Sequence, residues 1–74
     1  MKMIKLKDGI KIEQLKEYGF VSNGYEYRLS IGAFALHCNI ETKQMGGCGF
    51  YPVGDRIVMR QLIDLGMGNL IIQN

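Results

Sequence analysis

With 74 residues, nine Lys and Arg, seven Asp and Glu and a formal net charge of +2, the chain is predicted to form one domain, residues 1–74. Its charges form neither the basic run typical of a nucleic-acid surface nor an acidic run that would mimic nucleic acid. No apolar stretch approaches the ~20 residues of a membrane-spanning helix. A hydrophobic fraction of 47% in so small a domain predicts exposed apolar surface, which a partner protein or a second copy in a homodimer would cover.

The two cysteines, Cys38 and Cys48, are too few for a disulfide scaffold and favour a reduced compartment. The first eight residues interleave Lys with apolar residues and lack the continuous apolar run of a signal peptide. We therefore expect a cytoplasmic protein.

In the first third of the chain, residues 3–6 are predicted to form a short strand that ends at a turn formed by Asp8 and Gly9. A short N-terminal helix should follow and end at Gly19, which suits a helix C-terminus. Residues 22–24, Ser-Asn-Gly, then favour a tight hairpin turn. The apolar face of that helix would comprise Ile12, Leu15 and either Tyr18 or Phe20.

The clearest pattern is a pair of alternating runs, residues 25–31 and 34–40, separated by Gly32 and Ala33. Side chains of a strand alternate between faces, so each run has one apolar face that should contribute to the core. The same alternation places His37 and Cys38 on opposite sides of the sheet. The predicted core residues are Tyr25, Tyr27, Leu29 and Ile31 in the first run, and Phe34, Leu36, Cys38 and Ile40 in the second.

After a polar turn at residues 41–44, residues 45–51 could form a third strand, made irregular by Gly46, Gly47 and Gly49. Asp55 is a candidate N-cap for a helix over residues 56–65 that ends at Gly66. Residues 70–72 would form a terminal edge strand. The helix is apolar around most of its circumference, which is typical of burial on more than one side; its apolar residues are Val58, Leu62 and Leu65, with Ile57, Met59 and Ile63.

These elements predict an α+β fold. We expect a small antiparallel sheet of three or four strands, packed against one main helix, with a short N-terminal helix.

Candidate chemistry centres on Cys48 and the glycines around it. Closely spaced glycines can direct backbone N–H groups at an anion, and Cys48 could be an activated thiol with His37 as its base. The segment lacks the Gly-Lys-Ser/Thr of a phosphate loop, and no orienting group or oxyanion-hole motif accompanies the thiol. No paired ligands at zinc spacing occur. We therefore predict no enzyme, no catalytic residue, no metal and no cofactor, with a thiol or anion site at Cys48 as an alternative.

A second alternative is a small nucleic-acid-binding regulator. Aromatic side chains beside cations form base-stacking surfaces in single-strand binders. Three of the candidate aromatic residues, Tyr25, Tyr27 and Phe34, fall on the predicted core face, which favours packing in the core instead. The residues available for stacking are Tyr25, Tyr27, Arg28, Phe34, Phe50 and Tyr51.

Residues 15–20, Leu-Lys-Glu-Tyr-Gly-Phe, followed by the hairpin turn and alternating strands, resemble small uncharacterised proteins of phages and mobile elements of low-GC bacteria. The resemblance covers residues 12–40 and implies a setting in which a small protein inhibits or regulates a host protein. It assigns no functional residue.

The leading hypothesis is a non-enzymatic protein-binding module, a phage or mobile-element inhibitor or regulator whose partner is a host protein. Its binding surface would contain a sheet edge together with Tyr51, Arg56 and Arg60, because Tyr and Arg dominate binding hot spots.

Overall fold

The computed structural model of the protein describes residues 3–73, which form a six-stranded antiparallel sheet with helical segments on one face. The strands are β1 (Ile4–Leu6), β2 (Val21–Ser22), β3 (Glu26–Ile31), β4 (Phe34–Asn39), β5 (Gln44–Gly49) and β6 (Ile71–Gln73). One α-helix, α1, spans Asp55–Asp64 in this part of the chain, and 3-10 helices span Ile12–Tyr18 and Gly68–Leu70.

The sheet corrects the predicted fold, because three or four strands on one main helix is wrong. The strand order is β2-β3-β4-β5-β1-β6, so the short strands near the two ends of the chain complete the sheet beside β5. Ile4 pairs with Met45 of β5 on one side and with Gln73 of β6 on the other. The Val21–Ser22 strand, absent from the prediction, adds the opposite edge. The architecture is therefore dominated by the sheet.

The central meander confirms the alternating pattern within β3 and β4, whereas the prediction that Tyr25 belongs to the core is wrong, because Tyr25 precedes β3 and is 70% exposed. β3 and β4 pair over their full length, from Glu26 opposite Asn39 to Ile31 opposite Phe34. Gly32 adopts a positive φ of 57° in the two-residue turn between them, a conformation that glycine adopts at little cost. Before β3, the Asn23 side-chain oxygen accepts hydrogen bonds from the N–H groups of Tyr25 and Glu26, which stabilises the predicted hairpin turn.

The core lies between one face of the sheet and the helical segments. Leu36 and Cys38 of β4 are fully buried, as are Val58 and Leu62 of α1. The predicted N-terminal helix is the 3-10 helix Ile12–Tyr18; it packs Leu15 on the same core and ends at Gly19, φ 97°, as expected. The cluster of buried core residues is Ile4, Leu6, Ile12, Leu15, Phe20, Tyr27, Leu36, Cys38, Met45, Val58, Leu62, Met67 and Ile71.

Helix α1 departs from its prediction in two respects. Gly54 is the N-cap, and Asp55 is the first helical residue. The helix is also not buried on several sides, because Ile57 and Ile63 are 36% and 55% exposed. The predicted stop at Gly66 is confirmed by its positive φ of 84° directly after the C-cap. Because six positions correspond to about 120° around a helix, Ile57 and Ile63 expose apolar surface on two different sides of α1. Over residues 3–73, no helix has the length and apolar character needed to cross a membrane.

Candidate functional site

The sheet has a packed face, under the helical segments, and an open face. Alternation along β3, β4 and β5 directs Arg28, His37 and Cys48 to the open face, away from Cys38. The predicted separation of His37 from Cys38 follows from this register. Tyr27 and Phe34 lie on the packed face, as their position in the pattern indicated.

On the open face, the Arg28 side chain of β3 reaches across β4 to Cys48 of β5. Its Nη2 donates a hydrogen bond to the Cys48 sulfur over 2.9 Å, and its Nη1 lies 2.9 Å from a carboxylate oxygen of Glu26. The hydrogen bond that the guanidinium donates to Glu26, and the nearby sulfur of Cys48, raise the pKa of Arg28 above its ordinary value. Cys48 is half-buried at this position. The sequence places these two residues 20 positions apart, and only the strand register brings them together.

A concavity of about 210 Å³ adjoins this pair at the end of the sheet where β3 turns into β4. Its polar wall includes Arg28, Ser30 and Cys48, and its apolar wall includes Phe34. Ala35 forms part of it and is buried. A small polar group could contact both the thiol and the guanidinium here.

His37 does not complete a catalytic pair with Cys48. Its ring lies over Gly46, where an added Cβ would stand 2.9 Å from the imidazole Cε1. Within residues 3–73, no hydrogen bond joins the imidazole to the Cys48 sulfur, and no third group orients the ring. The predicted thiol is therefore accompanied by a cation and not by a base.

The glycine-rich segment is a regular strand, so the prediction of an irregular one is wrong. β5 pairs with β4 without a break from Phe34 opposite Gly49 to Cys38 opposite Met45. A Cβ at Gly47 would stand 2.6 Å from a Val53 methyl carbon and 3.1 Å from a Val58 methyl carbon. The glycines therefore allow close packing on both faces of β5: Gly46 lies against His37 on the open face, and Gly47 lies against Val53 and Val58 on the packed face.

Cys38 is an inert counterpart to Cys48. Its side chain is fully buried in the core. Burial raises the pKa of the Cys38 thiol to about 11, an effect that Lys43 partly opposes. The two thiols lie on opposite faces of the sheet and are free.

Residues 50–54, which connect β5 to α1, form a segment that we call the aromatic loop. Phe50 is 97% exposed, the highest value among the large exposed apolar side chains. The Tyr51 ring packs edge-to-face on Phe34, with 6.4 Å between centroids and 66° between planes. Val53 packs over Gly47. The loop is thus anchored at Tyr51 and Val53 while Phe50 projects into solvent.

Arg56 and Arg60 occupy a different site. Both line a groove of about 620 Å³ between α1 and the edge strand β6, whose floor includes Met59 and Ile63. Tyr51 is not among the lining residues. The structure therefore brings two of the three predicted partner-binding residues together and separates the third.

Among the described residues, no group of three or more His, Cys, Asp and Glu side chains is placed to hold a metal ion. Comparisons with family models, with curated proteins and with solved structures return no match for the chain. The functional argument consequently depends on the surfaces described above.

Proposed function

We propose that the protein is a non-enzymatic binding module that holds a partner protein through the aromatic loop. The observation that supports this proposal is the exposure of Phe50 on an anchored loop. Scattered exposed apolar side chains are ordinary on protein surfaces. An aromatic ring on a loop held in place by Tyr51 is different, because little conformational entropy is lost when a partner covers it.

The adjoining concavity extends this surface. Phe34 lines the concavity and also supports Tyr51, so the aromatic loop and the open face of the sheet are continuous at this point. A partner that accepts the Phe50 ring in an apolar pocket would also reach Arg28 and Ser30. An aromatic anchor surrounded by polar contacts is the usual composition of a binding hot spot.

We propose a bacterial host protein as the partner, encountered in the cytoplasm. Support for this class of partner comes from the sequence resemblance to phage and mobile-element proteins. Inhibition or regulation of that protein would follow if the aromatic loop covers a surface that the host protein needs.

The test is affinity capture from a bacterial lysate with three tagged proteins: the wild type, Phe50→Ser and Tyr25→Ser. Tyr25 is a matched control because it is an aromatic residue, 70% exposed, in the turn before β3. Full burial of a Phe side chain contributes about 1.5–3 kcal/mol, so Phe50→Ser should weaken binding at least about tenfold. A stoichiometric partner retained by Tyr25→Ser and lost by Phe50→Ser supports the proposal. Equal capture by all three contradicts it.

A second candidate, a thiol site at Cys48, is favoured by the Arg28 guanidinium at hydrogen-bonding distance from the sulfur. A cation stabilises the thiolate, the form of cysteine that reacts. The nucleic-acid alternative has less support, because Tyr27 is buried in the core and Phe34 packs partly against it. Steeply salt-dependent binding to DNA or RNA would revive it, and no binding at low salt would remove it.

A further inference from the structure

The flank of α1 that faces the edge strand β6 carries an unusual arrangement of charge. Arg56, Met59, Arg60 and Ile63 follow the i, i+3, i+4, i+7 spacing of one helical stripe and line the groove beside β6. Met59 is half-buried and Ile63 is 55% exposed. The stripe is amphipathic, and the described part of the chain leaves it open to solvent.

Two charges near the ends of α1, those of Arg56 and Asp64, are unfavourable for the isolated helix. Arg56 is the second residue of α1, at the positive end of the helix dipole, and Asp64 is the last residue, at the negative end. Neither forms an ion pair within residues 3–73, where the salt bridge found joins Arg28 and Glu26. Arg60 and Asp64 also remain unpaired, although their i,i+4 spacing permits a contact.

The adjacent sheet edge is also available for pairing. The Lys7 N–H donates to the Leu70 carbonyl over 2.9 Å, and hydrogen-bonded pairs alternate along an antiparallel ladder. Lys5 and Ile72 are therefore the next hydrogen-bonded pair, and the N–H and C=O of Gln73 point away from β1. The Gln73 side chain lines the same groove as Arg56 and Arg60. Unpaired edge groups of this kind are a template for a further strand.

We propose that a second copy of this chain occupies this surface, as a symmetric dimer. A twofold axis perpendicular to the sheet runs the two β6 strands antiparallel and keeps both α1 helices on the same face. The helices then also run antiparallel, so the beginning of one lies beside the end of the other. Arg56 of each copy meets Asp64 of the second copy, and each charge that is unfavourable for its own helix gains an opposite partner.

The apolar residues of the stripe fit the same arrangement. In the register that places Arg56 opposite Asp64, position 60 lies on the twofold axis, so Met59 and Ile63 pack on either side of the two Arg60 side chains. The apolar contacts of Met59 and Ile63 therefore flank the axis, and the Arg56–Asp64 pairs lie at the two ends of the interface. The proposal goes beyond partner binding by the aromatic loop, which uses a different surface and remains free in the dimer.

The test is the oligomeric state, measured by sedimentation velocity over a range of protein concentrations. At high concentration, the sedimentation coefficient of the wild type should correspond to a species with twice the 8.4 kDa mass of the chain. Arg56→Glu and Asp64→Arg each place like charges together twice in the dimer, and each should weaken association at least about tenfold. Each change also suits the helix dipole, so both variants should fold. Lys16→Glu, on the 3-10 helix, is the matched control for charge reversal.

Mixing the two variants gives the decisive result. One copy of Arg56→Glu and one of Asp64→Arg restore both opposite-charge pairs, so the mixture should dimerise as the wild type does although neither variant does so alone. A wild type that is monomeric at every concentration overturns the proposal. So does a dimer that ignores both substitutions while Lys16→Glu also leaves it intact. Phe50→Ser should leave dimerisation unchanged, which keeps this result separate from the test of the aromatic loop.

Discussion

Arg28 and Cys48 meet across an intervening strand: the guanidinium Nη2 of β3 lies 2.9 Å from the sulfur of β5, over the buried Ala35 of β4. Ala35 pairs directly with Cys48, and its small side chain leaves the space through which Arg28 reaches. The arrangement distinguishes the two thiols of the protein. One lies beside a cation on the open face, and the other lies in the core.

We expect iodoacetamide to modify Cys48 far faster than Cys38 in the folded protein near neutral pH. Cys38 is fully buried and its thiol has a pKa of about 11, so both access and thiolate formation are suppressed. Intact-mass and peptide mass spectrometry over time measure the two rates separately. Unfolding in urea should bring the rates together.

Arg28→Gln should slow the alkylation of Cys48 severalfold, whereas Arg28→Lys, which keeps the cation, should slow it less. The alkylation rate of Cys48 in the urea-unfolded proteins is the control, because residue 28 no longer lies beside the sulfur once the chain is unfolded. Equal and slow modification of both cysteines in the folded wild type would argue against a thiol site at Cys48.

Cys38 also predicts a loss of stability in alkaline solution. Its pKa is raised from 9.0 to about 11 by folding, so the folded state retains the proton that the unfolded state releases. The stabilisation is fully present below pH 9 and is lost as the pH rises through 11. At 1.36 kcal/mol per unit, the loss is about 2–3 kcal/mol.

Urea unfolding at pH 8 and near pH 11 measures this loss in the wild type and in Cys38→Ala. The variant lacks the Cys38 thiol, while every other ionisable group is common to the two proteins. Its free energy of unfolding should therefore decline less between the two pH values. An equal decline in both proteins would show that Cys38 does not control the alkaline loss.

The sequence predicted the parts of this fold that local chemistry determines. Alternation in residues 25–31 and 34–40 identified β3 and β4 and the face on which their side chains lie, although Tyr25, placed in the core by this pattern, precedes β3 and is exposed. Gly19 and Gly66 were identified as helix ends, and both have the positive φ that this position requires. These features depend on side-chain periodicity or on backbone conformation within a few residues.

Features determined by distant contacts were not predicted. The strand Val21–Ser22 is too short for a periodic pattern, and its assignment depends on pairing with Tyr27 and Arg28. The sheet size was underestimated because β1 and β6 pair with each other across almost the whole chain. The Arg28–Cys48 contact carried one usable signal: once β4 is placed between β3 and β5, both residues have the parity of the open face.

The glycines of β5 also depend on contacts with residues that are distant in the sequence. Glycine weakens isolated strands, which favoured an irregular segment, yet Gly47 is required because α1 and the aromatic loop approach the sheet there. Gly47→Ala should reduce the free energy of unfolding by about 1–3 kcal/mol, since the added Cβ overlaps a Val53 methyl group. Gly68→Ala is the matched control, because nothing lies within 4 Å of its added Cβ.

A double variant isolates the cause. Val53→Ala removes the methyl carbon that would stand 2.6 Å from the new Cβ, so Gly47→Ala should cost less in the Val53→Ala background than in the wild type. Urea unfolding of the wild type, the two single variants and the double variant gives the coupling free energy between positions 47 and 53. Strictly additive costs would show that Val53 is not the obstacle, and the contact with Val58, at 3.1 Å on α1, would then account for the loss.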